Sequence, residues 1–206
     1  MPSKTNPTIQ TYDEVALRYF ERNKDRSPID DHLRIFVRFL KSQGVAEMPV
    51  IDVGCGPGFD TATMRKEGLH CLGLDLSWSM LRAAIGHYSD DYIIADMMKL
   101  PLSESAGGLW CCASLLHLKR DEMPFALKEL SRVLVRNGLL YLSVKEGDGH
   151  RWSNAPYGGN ARRFFTLWKP SDLDRLIQDA GFRILDSTME SWTGESPWLA
   201  RFAARI

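Results

Sequence analysis

Between residues 50 and 145 the chain alternates short, almost wholly apolar runs with amphipathic stretches, and no other feature restricts its fold as strongly. The runs are VIDVGC (50–55), HCLGLD (70–75), DYIIAD (91–96), LWCCASLL (109–116) and GLLYLSVK (138–145). Runs apolar on both faces suit strands covered on both sides, and strands separated by helices pair in parallel through right-handed crossovers. The intervening stretches read as helices. Leu33, Phe36, Val37 and Leu40 recur at i, i+3, i+4 and i+7 and stop at Gly44. The polar stretch 60–67 ends at Gly68, Met80 to Gly86 follows the second run, and Leu127, Leu130 and Leu134 share a face before the fifth. The pattern predicts a doubly wound α/β core, and 206 residues suit one domain with modest flanking pieces.

Composition excludes several other classes. Hydrophobic residues are 44% and charged residues 25%, ordinary globular usage that argues against disorder or a fibrous repeat. The 26 basic and 26 acidic side chains cancel, so no long-range field draws the chain to nucleic acid or anionic lipid. Cys55, Cys71, Cys111 and Cys112 show no C-x-x-C spacing, and no disulfide framework or metal site is expected. The N-terminus lacks the apolar stretch of a signal peptide, and the longest apolar run falls short of the ~18 residues that span a membrane. A reduced, cytoplasmic protein is the expectation.

After Lys145 the periodicity is lost for about twenty residues, EGDGHRWSNAPYGGNARRFF, and a loop that long in a compact domain is usually functional. A helix then starts near Ser171 with Leu173, Leu176, Ile177 and Ala180 on one side and closes at Gly181. FRILDSTM (182–189) and WLARFAAR (198–205) suit a terminal antiparallel hairpin on the sheet edge.

The chemistry is concentrated where the first strand turns into a helix: Asp52-Val53-Gly54-Cys55-Gly56-Pro57-Gly58. Glycines there admit positive φ and a close ligand, although a plain strand-to-helix turn has the same composition. The dinucleotide fingerprint needs a glycine at 59, where this chain has Phe59. That spacing disfavours a nicotinamide oxidoreductase. Asp75 ends the second strand, where it can accept from ribose hydroxyls, and Asp96 ends the third. Three acids at the ends of successive strands repel a phosphate-rich ligand and suit a cation bearing a ribose and an adenine amine, as in S-adenosylmethionine.

The chain resembles the class I S-adenosylmethionine-dependent methyltransferases of the small-molecule type over roughly residues 30–205. The resemblance rests on DVGCGPG, GLDLSWSML, IIADMMKLP, ASLLHL and LSRVLVRNGLLYLSVKEG, which occur in order. It implies a Rossmann-like seven-stranded sheet of order 3-2-1-4-5-7-6, the last strand antiparallel, with helices on both faces. Residues 1–206 then form a single domain, with 1–29 as an N-terminal arm or lid and 146–168 as a substrate-side loop insertion.

The resemblance also implies roles. Asp52 and the turn through Gly54, Cys55, Gly56 and Gly58 hold the methionine part of the cofactor. Asp75, with Leu76 beside it, holds the ribose. Asp96 accepts from the adenine amine, the Met97 N–H bonds a ring nitrogen, and Trp78 and Met80 flank the adenine. Tyr12 and Tyr19, within TYDEVALRYF, are lid residues or members of an ordinary docking helix. His117 follows the fourth strand, where the methyl transfers, and is either a general base or a histidine with a structural hydrogen bond; His150 is a weaker candidate. Tyr157, Arg162 and Arg163, with Trp152, Phe164 and Phe165, either wall an acceptor pocket in which an arginine grips an acidic substrate, or form a solvated loop whose Phe164 and Phe165 plug the core as the next helix begins. Cys111 and Cys112 read as packing residues.

The implied reaction moves the sulfonium methyl to an oxygen, nitrogen, sulfur or carbon of a small molecule and leaves S-adenosylhomocysteine. Two alternatives stand beside it: a methyltransferase acting on RNA or protein, and a non-catalytic S-adenosylmethionine-binding protein. The chain lacks the Asp/Asn-Pro-Pro-Tyr/Phe motif of base amino methylation, having Ala113-Ser114-Leu115-Leu116-His117 in its place. A monomer or homodimer is expected, with no membrane partner.

Overall fold

The computed structural model describes residues 6–88, 91–155, 157–158, 161–190 and 196–206. Two helices open the chain, α1 (Pro7–Arg22) and α2 (Ser27–Ser42), each with a proline in its first turn, where the missing N–H has no helical partner to lose. Asn6 caps α1 by accepting from the Thr8 N–H at 2.9 Å. Then come β1 (Val50–Val53), α3 (Phe59–Lys66), β2 (Cys71–Asp75), α4 (Trp78–His87), β3 (Tyr92–Ile94), β4 (Ala106–Cys111), α5 (Met123–Val133) and β5 (Leu134–Glu146). Strands β6 (His150–Trp152) and β7 (Phe164–Trp168), helix α6 (Pro170–Asp179), and strands β8 (Phe182–Glu190) and β9 (Trp198–Arg205) complete the chain.

Strands β3, β2, β1, β4 and β5 are neighbours in that order and all parallel. Strand β9 pairs antiparallel with β5, and β8 antiparallel with β9. The run β3-β2-β1-β4-β5-β9-β8 is therefore the expected seven-stranded order with its one antiparallel strand. The sheet holds nine strands among the described residues, because β7 pairs with the tip of β5 at Lys145 and Glu146 and antiparallel with β6. These two strands lie in the segment expected to be a loop. The side chains of β6 are all exposed, so no apolar period marks it. Pro156, Gly159 and Asn160 of that segment, and the first five residues of the expected arm, lie outside the described residues.

Two boundaries also differ from the periodicity reading. Strand β4 ends at Cys111, because Ala113 takes a left-handed φ of 51° and the chain passes into a single 3-10 turn at Leu115–His117. Strand β5 begins at Leu134, where α5 has just stopped, so Leu134 packs as strand although its spacing is helical.

Helices cover both faces. On one, Leu127 and Leu130 of α5 and Leu173 and Ile177 of α6 bury against Leu140 and Leu142. On the other, Phe36 and Leu40 of α2 bury against Trp110, Tyr141 and Phe202. Trp110 and Tyr141 are register neighbours on β4 and β5, and their rings stack with centroids 3.8 Å apart. Helix α1 packs on α4, with Phe20 stacked on His87 at 3.9 Å and on Phe59 at 5.1 Å. Among the described residues no helix is long and apolar enough to cross a membrane.

Candidate functional site

The chain steps outward from β1 to β2 and β3 and then crosses back to β4 on the other side of β1, and this reversal opens a crevice at the carboxyl ends of these strands, the place where open α/β sheets take ligands. A cavity fills that crevice. Asp52 and the turn through Gly56 come from the end of β1, Asp75 and Leu76 from β2, Asp96 and Met97 from the segment after β3, and Ala113, Ser114 and His117 from that after β4. Cys55, Met80, Tyr12 and Tyr19 also line the cavity, with Arg26, Phe59, Asp60 and Cys112.

The glycine turn is built by steric exclusion. A Cβ on Gly54 would lie 2.4 Å from the Ser114 Cβ, and one on Gly58 2.4 Å from the Tyr92 hydroxyl, and both residues have positive φ. Gly54 thus lets β1 and the post-β4 turn meet. Gly58, expected at the cofactor, is not in the cavity wall; its bareness serves the packing of α3 and α4 on Tyr92. Trp78, expected to flank an adenine, is also outside the wall and half exposed.

Each acid is held by its own partners. Asp75 accepts from the Gly56 N–H and the Ser77 N–H, each at 2.8 Å, so it fixes both the glycine turn and the start of α4. Burial pushes its pKa up, against the pull of those N–H groups. Asp96 accepts from the Met98 N–H at 2.9 Å in a tight turn. Asp52 is 2% exposed and accepts from the Thr61 hydroxyl at 2.6 Å. Burial first, and then the nearby Asp60, drive its pKa upward.

Asp60 and Arg26 escaped the sequence reading. Asp60 receives the Arg26 guanidinium through both oxygens, at 2.8 and 2.7 Å, and the Trp110 indole N–H at 2.9 Å. The only sequence sign was an acid in the first turn of α3, which any helix N-terminus welcomes. Ser114 was also missed, having been read as strand. Its hydroxyl is buried in the cavity wall and has no hydrogen-bond partner among the described residues.

His117 closes the site on the side of α1. Its Nδ1 lies 2.8 Å from the Phe164 carbonyl, which can only accept, so Nδ1 carries the proton. Its Nε2 then accepts from the Tyr12 hydroxyl at 2.8 Å. Burial pulls the His117 pKa down to about 4, with the Phe164 carbonyl opposing. In this arrangement the ring is neutral, both nitrogens are engaged, and His117 holds the Tyr12 hydroxyl. Tyr12 packs edge-on against Tyr19 with centroids 5.7 Å apart.

Helix α1 is fastened across the site at both edges. Asp13 accepts from the Ser77 hydroxyl at 2.6 Å and the Ser79 N–H at 3.0 Å. Thr11 donates to the Arg162 carbonyl at 2.7 Å, and Thr8 accepts from the Phe164 N–H at 3.0 Å.

A second cavity, of about 660 Å³, shares Tyr12, Tyr19, Arg26, Cys112, Ala113 and His117 with the first. Tyr157, Arg163, Trp152 and Phe165 line it, as expected, together with Lys145, Tyr141 and Trp198. Arg162 does not: its exposed side chain lies over the Trp152 ring, 6.0 Å from the centroid, and its carbonyl accepts from Thr11. His150 is exposed and outside both cavities. Cys111 is core, whereas Cys112 follows β4 into the shared wall, where it packs against the cluster of Trp110 and Tyr141.

A family profile described as a methyltransferase domain matches residues 51–142. A malonyl-[acyl-carrier protein] O-methyltransferase of Erwinia billingiae is 34% identical over 126 residues, 60% of this chain and 45% of that protein. The chain thus spans under half the length of that relative. A ubiquinone biosynthesis O-methyltransferase of Histophilus somni is 23% identical over 84% of this chain and 77% of its own length. Among solved structures, the Burkholderia thailandensis 1,6-didemethyltoxoflavin-N1-methyltransferase, with its substrate and S-adenosylhomocysteine bound, matches at a TM-score of 0.68 and 18% identity. That match covers 96% of this chain and 88% of the other. The domain match, the strand order and the glycine turn agree: residues 51–142 match a methyltransferase domain, and the chain has the fold of the methyltransferase structure it is similar to.

Proposed function

We propose that the chain transfers the methyl group of S-adenosylmethionine to a small-molecule acceptor seated in the second cavity. The observation that carries this reading is the first cavity: three strand-end acids, a glycine turn and a buried, unpartnered Ser114 hydroxyl face one space that abuts a second. That donor and acceptor set fits the cofactor. Asp75 would accept from the ribose hydroxyls through its remaining lone pairs, and Asp96 from the adenine amine. The Met97 N–H would meet a ring nitrogen. Asp52, Ser114 and the Gly54–Gly56 turn would hold the methionine end.

When bound, the cofactor supplies a methyl on a sulfonium, an electrophile that reacts with an aligned nucleophile. The protein's part is alignment and exclusion of water, which can supply several kcal/mol of the barrier. Helix α1, latched by Thr8, Thr11 and Asp13, covers the crevice. Tyr12 and Tyr19 place aromatic faces at the boundary of the two cavities, where attraction for a cation is about 0.5–2 kcal/mol. His117, neutral above its depressed pKa, holds the Tyr12 hydroxyl still. The O- and N1-methyltransferase names of the relatives support a small acceptor.

Calorimetric titration with S-adenosylmethionine, S-adenosylhomocysteine and NADH tests the reading. Binding of the first two alone is expected. Binding of NADH, or of none, overturns it.

A further inference from the structure

The second cavity has a charge pattern that the neutral composition of the chain conceals. Of the cations in its wall, Arg26 is neutralised by Asp60 through two hydrogen bonds, and Arg151 is exposed. Of the acids, Glu190 pairs with His32 at 2.9 Å, and Asp25 is exposed and accepts from the Ser27 N–H. Arg163 is different. No carboxylate pairs with it among the described residues, and its Nε is buried without a hydrogen-bond partner there.

Aromatic rings hold this guanidinium in place. It lies 5.0 Å from the centroid of Tyr157, 5.2 Å from Phe165 and 5.8 Å from Tyr12. Its backbone N–H is fixed by the Ser153 hydroxyl at 2.9 Å, and one Nη reaches the Tyr12 hydroxyl at 3.4 Å. A guanidinium presents five donors in a rigid fork, and taking it out of water without an anion is costly. Rings satisfy its faces but not its edge. Buried Lys145 lies in the same wall, with its ammonium 4.6 Å from the Trp198 ring centroid.

Resting on the methyltransferase reading, we propose that the acceptor is a small aromatic carboxylic acid whose carboxylate pairs with the Arg163 fork while its ring lies among Tyr157, Phe165 and Trp198. Since that Nη reaches Tyr12, which borders both cavities, the anchored carboxylate sits near the boundary that the methyl crosses. The carboxylate also arrives already charged at neutral pH, which matches a shared wall where His117 is neutral and engaged at both nitrogens.

The test is calorimetry on the whole chain, first with S-adenosylhomocysteine alone. The saturated protein is then titrated with benzoate, phenylacetate and 4-hydroxybenzoate and with the primary amide of each. At least one acid is expected to bind about tenfold or more tightly than its amide, the scale of one charge-assisted hydrogen bond. Arg163→Gln should abolish that preference, whereas Arg162→Gln, one residue away but outside both cavities, should keep it. Acids binding no better than amides, no acid binding at all, or a preference that survives Arg163→Gln each overturns the anchor. If S-adenosylhomocysteine itself does not bind, the underlying methyltransferase reading falls, and that outcome is read separately in the first titration.

Discussion

The two cavities share a wall but are built in opposite ways. The first is made of strand ends: Asp52 near the end of β1, Asp75 at the end of β2 and Asp96 just after β3 stand on three parallel neighbours, so the sheet delivers them to one place with little help from the rest of the chain. Its character is acidic. The second is assembled from α1, the turn after β4, the 151–165 segment and β9, which lie far apart in sequence and meet through bonds such as Thr11 to Arg162 and His117 to Phe164. Its character is aromatic and basic. A scaffold that fixes one half and leaves the other to long-range contacts keeps a cofactor while its acceptor changes.

Perturbing each half separately tests that contrast. The largest effect is expected for Arg26→Met, which leaves Asp60 buried without its guanidinium and close to Asp52. Removing one partner of a buried pair costs about 3–5 kcal/mol, to be read by urea denaturation. The double variant Arg26→Met/Asp60→Asn should recover a good part of that loss. If it does not, the pair is not the reason.

Next comes Asp75→Ala in the first cavity, expected to weaken S-adenosylmethionine binding by ~1.5–3 kcal/mol. A loss under tenfold in titration would count against the ribose role. Tyr12→Phe, at the shared wall, strips His117 Nε2 of its donor and should cost about 1–2 kcal/mol of stability, the scale of one unsatisfied buried group. Measured stability equal to wild type would show that the Tyr12–His117 bond does not persist in solution.

Slopes against pH come last, and they have opposite signs for Asp52 and His117. Burial and Asp60 raise the Asp52 pKa to about 8, so the folded state holds a proton that the unfolded chain has lost. That contribution is complete below the ordinary carboxylate range and disappears as pH rises through about 8. His117, lowered to about 4, contributes fully above the ordinary histidine value of 6.5 and loses its contribution as pH falls through about 4. Asp52→Asn should therefore flatten the decline toward high pH, and His117→Gln the decline toward low pH. Thermal melts across pH 4 to 9 that show either variant parallel to wild type would remove that group from the account.

Much of the first half was legible in the sequence, and for one reason. Parallel strands buried on both faces must be apolar throughout, so β1, β2 and β5 announce themselves, and an acid at the end of such a run has to sit at the mouth of the sheet. Where the sequence misled, side-chain period and backbone path had separated. Ala113 leaves the strand at a left-handed φ although the apolar run continues to Leu116, and β6 has no buried side chain to give it a period. Gly58 matched a motif whose third glycine turned out to serve Tyr92.

By itself, then, the order of residues determined the strands, the glycine turn and the acids that follow them, because these depend on local geometry and on a period that repeats along the chain. Tertiary structure alone decided which buried charges are answered. Asp60 meets Arg26 across 34 residues, and His117 meets Tyr12 across 105. Arg163 turns inward while Arg162 turns out. Pairing over such separations is fixed by how helices and loops dock on the sheet, and a linear sequence carries no period that reports it.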